Sequence, residues 1–414
     1  MKHSLLFLSF CISLILFLSF GCKDDPKQGI YDPNFVPAGT PQITSVAPEN
    51  APYYISRVTT VVINGSNFST DTSKNLVYFG VTPATVLSAS PTQLKVKTPN
   101  IYGDSISLRI AVQGAEKFSA TKILSIKPSI LIVSLIDSKA EKPYAITVDK
   151  NNILYVSVTT AAAVGLGVKK IIGDTLRSDF SNRTADNEWS GLKMGSGDTL
   201  YGVRNLAAIF TLRQNANPGI FINGTTNGSL SQLRDLDFDS QKNMWMGGLN
   251  TSKIYRVNRN KAIRSFPFVG DVRSVRVYNN ALFISGKSIV SGDTIEGVFK
   301  FPFVPSDTSL GAMEVYFSLK SSPRYSTSKA FAITFDNAGG LYLGTDHTDG
   351  IIKIESDKTY SALYGGLIGP MVTSMAWGTG NIMYVIKEPV LSTDTQTLLR
   401  VDMQRQSSVY YGRE

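Results

Sequence analysis

At 414 residues the chain exceeds one ordinary core and suits two domains behind a leader. Its formal charge of +9 arises from 41 Lys and Arg against 32 Asp and Glu, but charged residues are only 18% of the chain and form no basic block, which excludes the footprint of a nucleic-acid binder. Both cysteines fall within the first 22 residues, so no disulfide staples the body, and His347 is the sole histidine beyond the leader.

Residues 2–21, KHSLLFLSFCISLILFLSFG, give a basic start, a long apolar run and small residues before Cys22. The run approaches the length of a membrane span, but its abrupt switch to Lys23-Asp24-Asp25 favours a cleaved export signal. Leu18-Ser19-Phe20-Gly21-Cys22 resembles the lipobox of bacterial lipoproteins, which implies a lipid on Cys22 and attachment to a membrane. Lys23-Asp24-Asp25 also resembles the charged signal that routes Bacteroidetes lipoproteins to the cell surface, so the two resemblances imply an outer-membrane lipoprotein exposed at the surface. Residues 22–40 carry three prolines and no apolar period, as an extended tether would.

From Pro41 the runs ITSV, TTVVING, LVYFG, LKVKTP and SLRIAVQG alternate about ten residues apart, the spacing of a small β-sandwich. Ile43-Thr44-Ser45-Val46 with Pro48, Ile63-Asn64-Gly65-Ser66-Asn67-Phe68, Val77-Tyr78-Phe79-Gly80 and Leu94-Lys95-Val96 with Pro99 resemble the IPT/TIG family of immunoglobulin-like domains. That resemblance spans residues 41–128 and implies a spacer or interaction module. Gly65 and Asn67 read as turn residues able to take a positive φ, Phe68 as the plug of the sandwich, and Arg57, Lys74, Lys95 and Lys97 as a solvated face.

Residues 129–414 carry a recurring unit, clearest in AFAITFDNAGGLYLGTDHTDGIIKIE from Ala330. An alternating strand, a turn of Asp, Asn or Gly, an apolar strand, a polar loop and a third strand recur from Tyr144, Trp189, Leu233, Val272, Ala330 and Val372. Self-similarity every 40 to 50 residues or so, with strands and no helical period, predicts six propeller blades. The turn strings at Asp149, Asp239 and Asp336 resemble those of NHL-type six-bladed propellers, so the fold class is all-β: an Ig-like sandwich followed by a six-bladed β-propeller. Each of the three Asp residues is expected to cap the turn after it. Two segments compete to close the ring, Ile130 to Ile136 and SSVYYG from Ser407.

Little in the chain points to catalysis. Asp235-Leu236-Asp237-Phe238-Asp239 lacks the turn Gly and distal Glu of a calcium loop and reads as a strand with a polar face. One imidazole cannot build multi-His zinc sites, and the ends of the second strands, such as Met246-Gly247 and Leu343-Gly344, are small or apolar and predict a packed channel. No metal or cofactor is expected. Asp-Thr pairs at Asp174, Asp198 and Asp293 fit hairpin turns and also resemble a Bacteroidetes O-glycosylation sequon.

Propellers bind ligands where loops converge on one face, and there Arg183, Trp189, Arg234, Arg273, Arg324, Tyr325 and His347 are the candidate ligand-binding residues. Aromatic planes stack on sugars and guanidinium forks hold carboxylate or sulfate. Against this, Arg234 and Arg273 can tie blades to Asp235 or Asp271, and Trp189 can pack between blades. The expected function is a monomeric, non-catalytic envelope lipoprotein capturing an anionic glycan. A propeller lyase or lactonase, or a scaffold for another envelope protein, are the alternatives.

Overall fold

The structure, a computed structural model, describes residues 35–49, 51–173, 175–182, 188–227, 230–249, 251–304 and 309–413. Cys22 and Arg183 therefore lie outside the described residues. Among those described, no helix is long and apolar enough to cross a membrane. The chain divides into two compact units, Thr60–Lys97 and Ser107–Ile123 forming the heart of one and Leu124 onward the bulk of the other.

The first domain is an Ig-like β-sandwich. Its strands run in the spatial order Gln42–Ala47, Thr60–Ser66, Gln93–Lys97, Thr82–Ser90, Asn75–Phe79, Gly103–Val112, Lys122–Lys127 and Tyr54–Ile55. Thr82–Ser90 pairs with Gln93–Lys97 on one side and with Asn75–Phe79 on the other, which carries the chain between the two layers. Period-two patterning explains the burial: Leu94 and Val96 are fully buried while Gln93, Lys95 and Lys97 face water. Phe68 is buried, and Asn67 takes a φ of 62°. Gly65 is needed for a different reason from the one expected. Its φ is not positive, but a Cβ there would stand 1.8 Å from the Gln42 carbonyl oxygen and 2.6 Å from the Phe68 ring, so only glycine allows the first strand to pair so closely.

The second domain is a six-bladed β-propeller. Blade 1 comprises Glu141–Val148, Leu154–Thr160, Gly165–Ile172 and Leu176–Asp179; blade 2, Gly191–Gly195, Thr199–Val203, Ala208–Leu212 and Gly219–Asn223. Blade 3 comprises Leu233–Phe238, Met244–Gly248 and Thr251–Val257. The 16-residue strand Ile263–Tyr278 completes it as far as Gly270 and then becomes the first strand of blade 4. Ala281–Val290, Asp293–Val304 and Glu314–Ser318 follow in blade 4. Blade 5 is Ala330–Phe335, Leu341–Thr345, Ile351–Ile354 and Tyr360–Ala362. Blade 6 takes Val372–Trp377, Ile382–Lys387 and Thr397–Asp402, and its fourth strand is Ile130–Ile132, which pairs with Leu399–Val401.

Ring closure is thus made by the strand that precedes blade 1, and Ser407 to Tyr411 goes elsewhere. First strands pack side by side in a closed cycle from blade 1 to blade 6 and back. Apolar clusters fill each space between successive blades, the last joining Tyr384, Ile386 and Leu398 of blade 6 to Ile146, Val156 and Leu166 of blade 1. A fully buried side chain of this size contributes about 1.5–3 kcal/mol, so the clusters hold the blades without any disulfide.

Candidate functional site

The aspartates after the first strands of blades 1, 3 and 5 do what their sequence context predicts. Asp149 Oδ1 accepts the amides of Asn151 and Ile153 at 2.9 and 2.8 Å, Asp239 Oδ1 those of Gln241 and Asn243 at 2.9 Å each, and Asp336 Oδ1 those of Ala338 and Gly340 at 3.0 and 2.7 Å. The second oxygen takes an aromatic donor from the next strand: Tyr155 at 3.4 Å, Trp245 Nε1 at 2.8 Å and Tyr342 at 3.0 Å. These carboxylates are spent on backbone and ring donors, a structural role.

The residues singled out in the loops do not meet in one site. Trp189 is 3% exposed, packed edge-on against Phe210 between blades 1 and 2, so its ring offers no stacking plane. Tyr325, 1% exposed, belongs to the core between blades 4 and 5. Arg273 is tied down by Glu296 and by the Ala330 carbonyl at 2.7 Å, while Asp271 pairs with Lys287 at 3.1 Å, so the expected tie between Arg273 and Asp271 does not form. Arg234 is half-buried with no side-chain hydrogen bond or ion pair to a described residue; Asp235 pairs instead with Arg276. Trp245 and Trp377 are core, as their strand positions predict.

Arg324, Tyr325 and His347 do gather, at the edge of blade 5 around Asp349. Arg324 reaches both oxygens of Asp349 at 2.9 and 2.8 Å, and the Tyr325 hydroxyl donates to Oδ2 at 2.9 Å. His347 Nδ1 accepts the Asp349 amide at 3.1 Å, and its ring meets that of Tyr325 edge-on. Burial and the bond to Asp349 push the Tyr325 phenol up to about 12. Of this set Arg324 alone extends into solvent, its side chain 61% exposed.

A different cluster occupies the propeller axis. Asp235 and Asp237 of blade 3, Lys193 of blade 2 and Arg276 of blade 4 project from first strands into the channel, while Leu236 and Phe238 pack in the core between blades 2 and 3. Asp235 Oδ2 accepts Ser274 Oγ at 2.8 Å, the Val275 amide at 2.9 Å and Arg276 at 3.1 Å; Arg276 also reaches the Met375 carbonyl of blade 6 at 3.2 Å. Burial works against charge on Asp235, but Arg276, Lys193 and these hydrogen bonds outweigh it and hold the carboxyl below its ordinary range. Asp237 receives only the Val277 amide, at 2.8 Å on Oδ2, and its Oδ1 is buried without a partner among the described residues. Burial dominates there and raises its pKa.

Lys193 is 7% exposed, and its ammonium makes no hydrogen bond or ion pair to a described residue. Burial, with Arg276 nearby, brings its pKa down to about 8. Lys193, Arg276 and Met375 line two axial cavities at once. One is of about 40 Å³, the other of about 20 Å³, the latter walled by Ser190, Arg273, Ser274, Thr373 and Ser374. Thr373 Oγ1 is buried without a partner among the described residues.

The C-terminal segment closes the channel on the side of the aspartate turns. Arg405 pairs with Asp336 at 3.0 Å, Ser407 Oγ donates to the Gly378 carbonyl at 2.8 Å, Tyr410 donates to the Met194 carbonyl at 2.6 Å and Lys242 donates to the Tyr411 carbonyl at 2.7 Å. Arg413 reaches the Trp377 carbonyl. Lys193 also lines the second cavity, on the side where the first strands begin.

The expected packed channel is instead a polar one. Acids sought at the ends of second strands stand on the first strand of blade 3, because in this ring the first strands line the axis. Lys193 was not singled out in the sequence; its one signal is a lysine at an alternate position of a first strand. Among the described residues no group of three or more His, Cys, Asp or Glu is arranged to hold a metal.

Residues 41–126 match the IPT/TIG domain. The match covers the sandwich alone. No curated protein matches the chain. Among solved structures the chain is similar to a luciferin-regenerating enzyme, at 16% identity over 68% of this chain and 97% of that one, with a TM-score of 0.51. It is similar also to a gluconolactonase from Xanthomonas campestris, at 11% identity over 66% and 89% of the two chains and a TM-score of 0.50. An auxiliary nutrient binding protein from Bacteroides thetaiotaomicron aligns over 89% of this chain and 98% of its own, at 11% identity and a TM-score of 0.46. The matches at TM-scores of 0.51 and 0.50 speak to the fold alone.

Proposed function

We propose that the protein is a non-catalytic binding module of the cell envelope, in which the propeller captures an anionic ligand, a glycan bearing carboxylate or sulfate, and the IPT/TIG domain acts as spacer. Lys193 carries this reading. A buried ammonium with no hydrogen-bond acceptor among the described residues is costly even with the Asp235 and Asp237 carboxyls nearby, and an anion reaching it through the second cavity supplies that acceptor. Hydroxyls of Thr373 and Ser374 and the nearby Arg276 add donors at the same place. Cavities of about 20 and 40 Å³ hold one or a few waters. The axis therefore admits a single carboxylate or sulfate, with the sugar ring left outside the mouth. Envelope placement rests on the lipobox-like Leu18 to Cys22.

A glycan array at low and high salt tests the binding role. Acidic members bind, less tightly at high salt and less tightly above pH 8 as Lys193 loses its proton. Lys193→Met abolishes that binding while the ring still melts cooperatively. Binding of no glycan under either condition, or undiminished binding by Lys193→Met, overturns the reading. Release of Cys22→Ala from membranes tests the anchor separately.

A further inference from the structure

A groove of about 550 Å³ opens on blade 6 and shares no lining residue with either axial cavity. Its size falls within the roughly 300–1,000 Å³ of small-molecule sites. Ile130 and Ile132 of the closing strand, with Leu399 opposite Ile132, and Ile368 give it an apolar floor. Ile132 is 62% exposed.

Two charged neighbours, Lys387 and Glu388, also line the groove. Both are half-buried, and neither side chain has a hydrogen bond or ion pair to a described residue. Adjacent opposite charges that leave each other unpaired are available to a ligand carrying both signs. Asp394, whose Oδ2 accepts the amides of Val390 and Leu391 at 3.2 and 3.0 Å, lies near enough to act on Lys387 through its charge but does not pair with it. Gly369 makes room for the cation: a Cβ there would stand 2.7 Å from Lys387 Nζ. Burial lowers the Lys387 pKa, and the charge of Asp394 offsets this only in part.

We propose that this groove binds a small zwitterion with an apolar side chain, an amino acid or dipeptide, its carboxylate on Lys387, its ammonium on Glu388 and its hydrocarbon on Ile130, Ile132, Ile368 and Leu399. A simple fatty acid would pair Lys387 but bring its chain against the Glu388 carboxylate, and a neutral sugar finds no aromatic plane among the described lining residues. This site is separate from the axial one and stands whether or not the axis binds a glycan.

Calorimetric titration of the purified protein with leucyl-leucine, N-acetyl-leucyl-leucine and leucyl-leucinamide tests it. Leucyl-leucine binds, and each probe lacking one charge binds about tenfold more weakly or worse, a difference of about 1.4 kcal/mol. Lys387→Met erases the preference for leucyl-leucine over its amide, and Glu388→Gln erases the preference over the acetylated probe; unchanged thermal melts show that both variants stay folded. An acidic glycan does not compete with the dipeptide. Failure of leucyl-leucine to bind, equal binding of the three probes, full discrimination by Lys387→Met, or competition by the glycan would each overturn the proposal.

Discussion

Asp349 at the edge of blade 5 and Asp237 on the axis are almost equally buried, at 3% and 1% exposure, yet their surroundings differ in kind. Around Asp349 the accounts close: Arg324 and the Tyr325 hydroxyl satisfy the carboxylate, and His347 takes the amide. Around Asp237 they do not, because one oxygen has no donor among the described residues, while the nearby Lys193, whose charge acts on that carboxyl, makes no hydrogen bond to it. A satisfied polar network behaves as part of the framework, whereas an incomplete one in a cavity is poised for something from outside. The corner that gathers three of the candidate ligand-binding residues is therefore satisfied from within, and the axis is the place with unused capacity.

The comparison can be broken most forcefully at Asp235, which organises the axis through Ser274, Val275 and Arg276. Asp235→Ala leaves Arg276 buried without its counter-charge and should cost about 3–5 kcal/mol in chemical denaturation. A loss below 1 kcal/mol would mean that the cluster is not a framework for Lys193.

Lys193 itself gives the next largest effect, and its sign is opposite. Its folded pKa, about 8, lies below the unfolded value near 10.4, so between these pH values the unfolded chain holds more protons and stability rises with pH. The gain from below pH 8 to above 10.5 is about 3 kcal/mol for this group, read as the difference between the parent and Lys193→Met, whose own curve lacks it. Identical pH profiles for the two proteins would remove the strained ammonium from the argument.

At the blade 5 corner, Asp349→Ala should cost about 2 kcal/mol, chiefly the charged hydrogen bond of buried Tyr325, since exposed Arg324 adds little. Acidic-glycan affinity should stay as it was; a fall without a comparable fall in stability would restore the corner as a ligand site. The smallest effect belongs to Tyr410→Phe, which deletes one hydrogen bond from the tail to Met194 and should cost about 1 kcal/mol. A drop in melting temperature no larger than scatter would show that the tail is held by Arg405 and Arg413 instead.

The blades were legible because their signal is local. Alternation in strings such as LYL and MYV, and Asp followed by a four-residue turn, act through neighbours in the chain, and each of the three aspartates caps its own turn. The sandwich is read off in the same way, from Leu94 and Val96 against Lys95 and Lys97.

What tertiary structure alone decided is where each alternating face points. A lysine alternating with apolar residues has the same local pattern whether its face meets water or an axial channel, so Lys193 carries no mark in sequence and Asp237 reads only as part of a polar strand face; the ring buries both by placing six first strands around one axis. Trp189 stands beside a loop and looks available, but blades 1 and 2 close over it. Ring closure was equally undecidable locally, because Ile130–Ile132 and Ser407 to Tyr411 are both short segments with strand-forming residues. Pairing partners settle it: the first finds the free edge of Leu399–Val401, while the second makes its hydrogen bonds to Gly378, Phe335 and Met194 across the mouth of the channel.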